Sequence, residues 1–252
     1  MSFEVSADAY ARFMGQYSEP LAVRFADWAG VRPGQRALDV GCGPGALAAV
    51  LCERLGPKSV AAVDPSESFV AAARARLPEV DVRRAPAEDL PFDAGSFDAV
   101  LAQLAVHFMT DPVAGLDEMR RVATPGGVVA ACVWDHAGGS GPLETFWSAV
   151  RSLDATAPDE SGLAGARAGH LGELAALAGL RDIEEDRLTV TVGFASFDDW
   201  WEPYTFGVGP AGAHVAGLDP AGREELRQRC RELLPDAPFD VTASAWSVRT
   251  HR

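Results

Sequence analysis

The residues best suited to chemistry lie in Ala37-Leu38-Asp39-Val40-Gly41-Cys42-Gly43-Pro44-Gly45, where a carboxylate precedes a glycine-rich turn between an apolar run and an alanine-rich one. Glycine carries no Cβ and accepts positive φ, so such a turn brings backbone amides close to a ligand. A second carboxylate, Asp64, closes the next apolar run in Val63-Asp64-Pro65-Ser66. At that place an acid accepts hydrogen bonds from ribose hydroxyls. Gly41, Gly43 and Ala46 also satisfy the G-x-G-x-x-G/A fingerprint, so a nicotinamide dinucleotide and an adenosine-bearing cofactor both stand open, and both require Asp64. For acid–base work the candidates are His107 and His136, which follow the fourth and fifth apolar runs. Those positions fall at the carboxyl edge where doubly wound sheets bind ligands.

These residues meet only if a parallel sheet carries them to one edge. Short apolar runs alternate with helical stretches from Gln35 onward, the βαβ pattern of an α/β fold. Strands are expected over Arg36 to Val40, Ser59 to Val63, Val80 to Arg84, Phe97 to Ala102, Gly127 to Trp134, Ile183 to Val192 and Phe239 to Val248. Helices are expected over Gly45 to Leu55, Ser66 to Leu77, Pro112 to Val122, Leu143 to Leu153 and Gly169 to Ala178, with proline placed to open the third of them. Ahead of the sheet, Ser6 to Met14 and Pro20 to Ala29 read as two amphipathic helices, giving a helical cap over 1–30. The core spans 31–194 and 236–252 of one domain, and 195–235 is an insertion rich in Trp, Phe, Gly and Pro. Forty residues exceed what joins neighbouring strands. The segment is therefore expected to form a lid, with Trp201 and Tyr204 lining an acceptor pocket.

Asp39 ahead of the glycines, Val63-Asp64-Pro65-Ser66, and Ala87-Glu88-Asp89-Leu90-Pro91-Phe92 followed by Ser96-Phe97-Asp98-Ala99-Val100 together resemble class I S-adenosylmethionine-dependent methyltransferases. The likeness is greatest to the small-molecule enzymes similar to ubiquinone and menaquinone methyltransferases, and it runs from about Tyr10 to Trp134. It implies a Rossmann-like fold with helices on both faces of seven mostly parallel strands, the last inserted antiparallel beside the fifth. It implies S-adenosylmethionine as cofactor, with Gly41 and Gly43 along the methionine moiety and Asp64 on both ribose hydroxyls. Pro65 follows that acid, Ala87 and Glu88 lie beside the adenine, Gln103 near the sulfonium, and Tyr17 joins the cofactor site from the N-terminal cap. One departure stands out: Pro86 replaces an aspartate often found there, so the adenine amino contact passes to Glu88 or a backbone carbonyl. The activity implied is methyl transfer to a small-molecule acceptor, at oxygen or carbon. The alternatives are an NAD(P)-binding oxidoreductase and a catalytically inactive binding or regulatory protein on the same fold.

Several neighbouring chemistries lack their residues. Ala102-Gln103-Leu104-Ala105 replaces the (Asn/Asp)-Pro-Pro-(Tyr/Phe) turn of amino-directed methyltransferases and offers no carboxylate cluster for magnesium. None of Cys42, Cys52, Cys132 and Cys230 follows a proline, as a cytosine-C5 nucleophile would. The sole lysine, Lys58, stands four residues after no tyrosine, which removes the Tyr-x-x-x-Lys of short-chain dehydrogenases. No metal ligand set is expected.

Across 252 residues, 36 acidic against 22 basic side chains give a net charge of −14, which repels nucleic acid and anionic membrane surfaces. A hydrophobic fraction of 48%, a charged fraction of 23% and a mean hydropathy of +0.00 fit an ordinary globular chain, expected in the cytoplasm as a monomer or homodimer. With Met1-Ser2-Phe3-Glu4 lacking a basic and an apolar run, no secretory signal is expected. The single lysine and isoleucine and the absence of asparagine point to a GC-rich bacterial genome.

Overall fold

The computed structural model describes residues 7–157 and 159–252; Ser6, the expected start of the first helix, lies outside them. Five parallel strands form the first part of the sheet: β1 (Ala37–Val40), β2 (Val60–Asp64), β3 (Asp81–Arg84), β4 (Phe97–Gln103) and β5 (Ala123–Trp134). β6 (Glu184–Phe194) and β7 (Phe239–His251) complete it in the order β3-β2-β1-β4-β5-β7-β6. β7 runs antiparallel to both neighbours, pairing Cys132 with Ser247 on one side and Val190 with Ala243 on the other. β1 and β2 are buried along their whole length, as strands covered on both faces must be.

The preceding helical region is nearly continuous from α1 (Ala7–Tyr10) through a π turn at Ala11–Gly15 to α2 (Gln16–Trp28), where two separate helices were expected. Pro20 does not open a helix but sits in the first turns of α2, where its missing N–H removes one ladder bond. α3 (Ala46–Leu55) and α4 (Glu67–Arg76) share this face, while α5 (Pro112–Val122) and α7 (His170–Leu177) cover the other; α6 (Glu144–Leu153) follows β5. Leu21, Phe25, Leu47 and Val70 join one apolar core and Leu38, Leu116, Met119 and Leu171 the other. Two such layers around one sheet bury a core large enough to hold the strand ends rigid.

The insertion between β6 and β7 is helical: α8 (Phe197–Trp201), a 3₁₀ stretch Glu202–Phe206, α9 (Gly209–Gly217) and α10 (Pro220–Leu233), the last packed on α6. The ends of α4, α5 and α10 follow from their sequences. Ser66, Asp111 and Asp219 cap them by accepting backbone N–H bonds, with proline at the first position of α5 and α10.

Candidate cofactor and acceptor site

β1 lies between β2 and β4, so connections leave it in both directions and a crevice opens at its carboxyl end. Three glycines hold the turn there at positive φ, Gly41 at 72°, Gly43 at 52° and Gly45 at 91°. At Gly41 space as well as conformation demands a glycine. A Cβ on Gly41 would overlap the Cβ of Ala105 in the turn after β4, whereas nothing stands within 4 Å of one on Gly43. The turn is stitched to β2, with the Gly41 and Cys42 amides donating to Val63 O at 2.8 and 2.9 Å.

The crevice is a cavity of about 960 Å³. It gathers Asp39, Gly41, Gly43, Asp64, Pro65, Ala87, Glu88, Gln103 and His107 from the expected residues. Asp64 is fixed by two amides: Gly43 N–H donates to Oδ2 at 2.9 Å and Ser66 N–H to Oδ1 at 2.8 Å. Each oxygen keeps lone-pair capacity for one hydroxyl. Burial raises the Asp64 pKa, and the same two amides oppose that rise.

Asp39 is more extreme. It is 1% exposed, and neither carboxylate oxygen has a hydrogen-bond partner among the described residues. Burial pushes its pKa up to about 8; the nearby Ala48 amide lowers it without reaching hydrogen-bond geometry, and the charge of Asp64 raises it further. The one guanidinium on the wall, Arg84, is turned to Pro65 O at 3.1 Å and to Glu67 at 3.3 Å. Two buried carboxylates without a cation suit a ligand bearing an ammonium and a pair of hydroxyls.

At the other side of the cavity, Gln103 Nε2 donates to Ser18 O at 3.0 Å, and its buried Oε1 has no partner among the described residues. His107 is 8% exposed with an unpartnered Nδ1, its ring 3.9 Å from Phe108 and 6.2 Å from His136. Burial, with a smaller push from His136, lowers the His107 pKa to about 3; burial lowers that of His136 to about 4 against Asp135 and Asp159. Both imidazoles are neutral at pH 7. His136 stands beside His107 but not on the cavity wall.

Besides His136, three more expected residues are placed off the cavity wall. Tyr17 faces the core, edge-on to Trp134 at 6.4 Å, and does not border the cavity. Its helical neighbour Ser18 does, because adjacent positions on a helix diverge by about 100°. Trp201 and Tyr204 are also buried and off this cavity's wall: Tyr204 stacks on Phe146 at 4.6 Å and meets Phe13 at 4.9 Å, and Trp201 lies parallel to Phe197. Rings lose most water-exposed area by packing on one another, and these have done so.

The wall also takes in Tyr10 and Ser18, neither of them among the expected site residues. Tyr10 borders the cavity edge-on to Phe69 at 5.2 Å, and burial and Asp64 push its phenol up to about 12. Among the described residues no group of three or more His, Cys, Asp or Glu side chains is arranged for a metal ion, and no helix is long and apolar enough to cross a membrane.

Residues 38–131, the segment that builds this cavity, match a family described as "Methyltransferase domain". Those residues are a methyltransferase domain. An uncharacterized methyltransferase of Mycobacterium tuberculosis (strain ATCC 25618 / H37Rv) is 37% identical over 135 residues, 54% of this chain and 52% of that protein. A demethylmenaquinone methyltransferase of Beutenbergia cavernae is 40% identical over 101 residues, 40% of this chain and 41% of the relative. The chain spans between 32% and 56% of the length of the curated relatives it matches. The fold is shared more widely. The YcgJ protein of Bacillus subtilis superposes with a TM-score of 0.58 at 17% identity, over 94% of this chain and 98% of its own. A Haemonchus contortus phosphoethanolamine N-methyltransferase solved with S-adenosylhomocysteine gives 0.57 at 19% identity, over 97% of this chain and 56% of that one. Asp64 offers two oriented carboxylate oxygens with lone pairs to spare, and Asp39 a buried carboxylate with no hydrogen-bond partner among the described residues, a pair that suits a ligand bearing a diol and an ammonium.

Proposed function

We propose that the chain methylates a hydroxyl of a small, uncharged acceptor bearing an acidic O–H such as a phenol or enol. The observation that carries this reading is His107, a neutral, buried imidazole among the residues lining the cavity, whose Nδ1 has no hydrogen-bond partner among the described residues. When bound, S-adenosylmethionine supplies an electrophilic methyl group on a sulfonium, so the protein's own contribution is orientation and exclusion of water. Asp64 and Asp39 hold the two polar ends of the cofactor. Gln103, anchored to Ser18, keeps its Oε1 turned to the interior near the reacting end.

Magnitudes decide what His107 does. Moving a proton from a phenol of pKa about 10 onto an imidazole of pKa about 3 costs about 10 kcal/mol at roughly 1.4 kcal/mol per unit. Complete deprotonation before transfer is therefore strongly uphill. The imidazole accepts a hydrogen bond from the hydroxyl, aims its lone pair at the methyl group, and takes the proton only as the oxygen becomes positive. An aliphatic alcohol, several units less acidic still, is a poorer acceptor. An anionic acceptor would find the site's carboxylates and no free cation.

The test is release of S-adenosylhomocysteine with a panel of phenols, aliphatic alcohols and amines, in wild type and His107→Phe. Turnover confined to phenols and reduced at least about tenfold in the variant, with cofactor affinity unchanged, agrees with the proposal. Turnover of amines, or an unaltered rate in His107→Phe, contradicts it. Cofactor binding without turnover of any acceptor would favour the binding-protein alternative.

A further inference from the structure

Beyond Asp64 two stretches of chain wall the cavity. One leaves β3 with Pro86, Ala87 and Glu88; the other follows β4 with Phe108, Met109 and Thr110. Neither stretch belongs to the sheet, so strand pairing does not fix their separation. Glu88 does. Its Oε1 accepts the Thr110 N–H at 2.7 Å and the Asp111 N–H at 3.0 Å. Asp111 is the N-cap of α5, whose unsatisfied amides favour a carboxylate there.

An apolar joint lies alongside. A Cβ on Gly115 would come within 2.6 Å of Met109 Sδ and 3.3 Å of Ala87 Cβ, so both walls rest on the same bare patch of α5. The chain beyond Glu88 is tied to that helix too, with Leu90 N–H donating to Glu118 at 3.0 Å and Arg121 donating to the carbonyls of Leu90 and Phe92 at 3.0 and 2.9 Å.

The purine 6-amino group would seek an acceptor between these walls. Pro86 and Ala87 have no side-chain acceptor, and Glu88 is held toward α5 with both acceptor sites of Oε1 filled by backbone amides, which leaves only its Oε2. We propose that Glu88 is a positioning residue that fixes the spacing of the purine slot, and that the purine is read there by shape, without a carboxylate on its 6-amino group. This rests on the reading that the cavity holds S-adenosylmethionine with its purine beside Ala87 and Glu88.

Isothermal calorimetry with two probes tests it: S-adenosylhomocysteine and its 6-deamino analogue, in which purine riboside replaces adenosine. Wild type should bind the two within about threefold of each other. Glu88→Ala should weaken both by the same factor, about tenfold, while Glu88→Gln, which keeps an Oε1 for the two amides, should restore both to within about threefold of wild type. Thermal unfolding checks that the variants fold; if Glu88→Ala does not, the wild-type ratio and Glu88→Gln decide. A deamino analogue bound at least about tenfold more weakly by wild type would overturn the shape reading, and closure of that gap in Glu88→Ala would make Glu88 the amino-group ligand. Unchanged binding of both probes by Glu88→Ala would overturn the positioning role. Failure of wild type to bind S-adenosylhomocysteine would instead remove the cofactor assignment, and this proposal with it.

Discussion

Asp39 and Asp64 share one sheet edge but meet opposite fates on folding. Asp64 gains two amide donors, whereas Asp39 gains none within hydrogen-bond geometry and is held largely protonated at pH 7, with a pKa of about 8. A ligand ammonium against Asp39 favours its ionised form, so binding should expel a proton. Titrating S-adenosylhomocysteine at pH 7 in buffers of different ionisation enthalpy should show release of most of one proton, lost in Asp39→Asn; no buffer dependence would contradict this. His107 gives a second residue-scale prediction. With imidazole pKa values of about 3 and about 4 for the His107 and His136 pair, kcat should show no inflection from either between pH 5 and 8. An inflection near 6.5 that disappears in His107→Phe would mean that His107 is far less desolvated than the structure has it.

At the scale of elements, the insertion behaves as core. Tyr204 touches Phe13, Phe146 and Trp200, linking α8, α6 and the N-terminal helical region. Tyr204→Ala should cost about 3 to 5 kcal/mol of stability, the range for deleting a buried aromatic, with acceptor KM unchanged where the protein remains folded. Chemical denaturation and steady-state kinetics check both; a stable variant with a raised KM would restore Tyr204 to an acceptor pocket. The sequence carried the positions of the strands and the glycine turn well, because period, apolar runs and turn chemistry are local signals, whereas the place of β7 beside β5 came from the resemblance. It carried the insertion less well: Trp201 and Tyr204 advertise aromatic area but not which surface receives it, a choice made by Phe146 and Phe13 from distant segments. Glu88 shows the same limit. Its place near the adenine wall could be expected from a motif, but its hydrogen bonds to Thr110 and Asp111 depend on the packing of α5. Ser18 went unnoticed because a serine inside a helix looks structural until folding brings it to the cavity wall.

For the whole molecule, buried titratable groups set how stability responds to pH. Asp39 and Glu160 have folded pKa values of about 8 and about 7, raised mainly by burial, so the folded state binds more protons than the unfolded state above pH 4 to 5 and stability falls as pH rises through those values. His107 and His136 are lowered to about 3 and about 4. Their unfolded forms bind more protons below about 6.5, so stability falls as pH drops below that value. The two slopes oppose each other between about pH 5 and 6.5, and above it only the acids act. Without ligand, unfolding free energy should decline by about 2 kcal/mol between pH 6.5 and 8, and saturating S-adenosylhomocysteine should flatten the decline by pairing Asp39. Denaturant titrations at the two pH values check it; a rise toward pH 8 would contradict the buried, protonated Asp39. The account as a whole stands on one cavity serving one cofactor, and calorimetry of wild type and Asp64→Ala with S-adenosylmethionine and with NAD tests it most directly. It predicts that wild type binds S-adenosylmethionine and not the dinucleotide, and that removing the carboxylate, an acceptor of two hydroxyl bonds worth about 1.5 to 3 kcal/mol each, weakens binding at least tenfold. Tight binding of NAD, or unchanged S-adenosylmethionine affinity in Asp64→Ala, would contradict it.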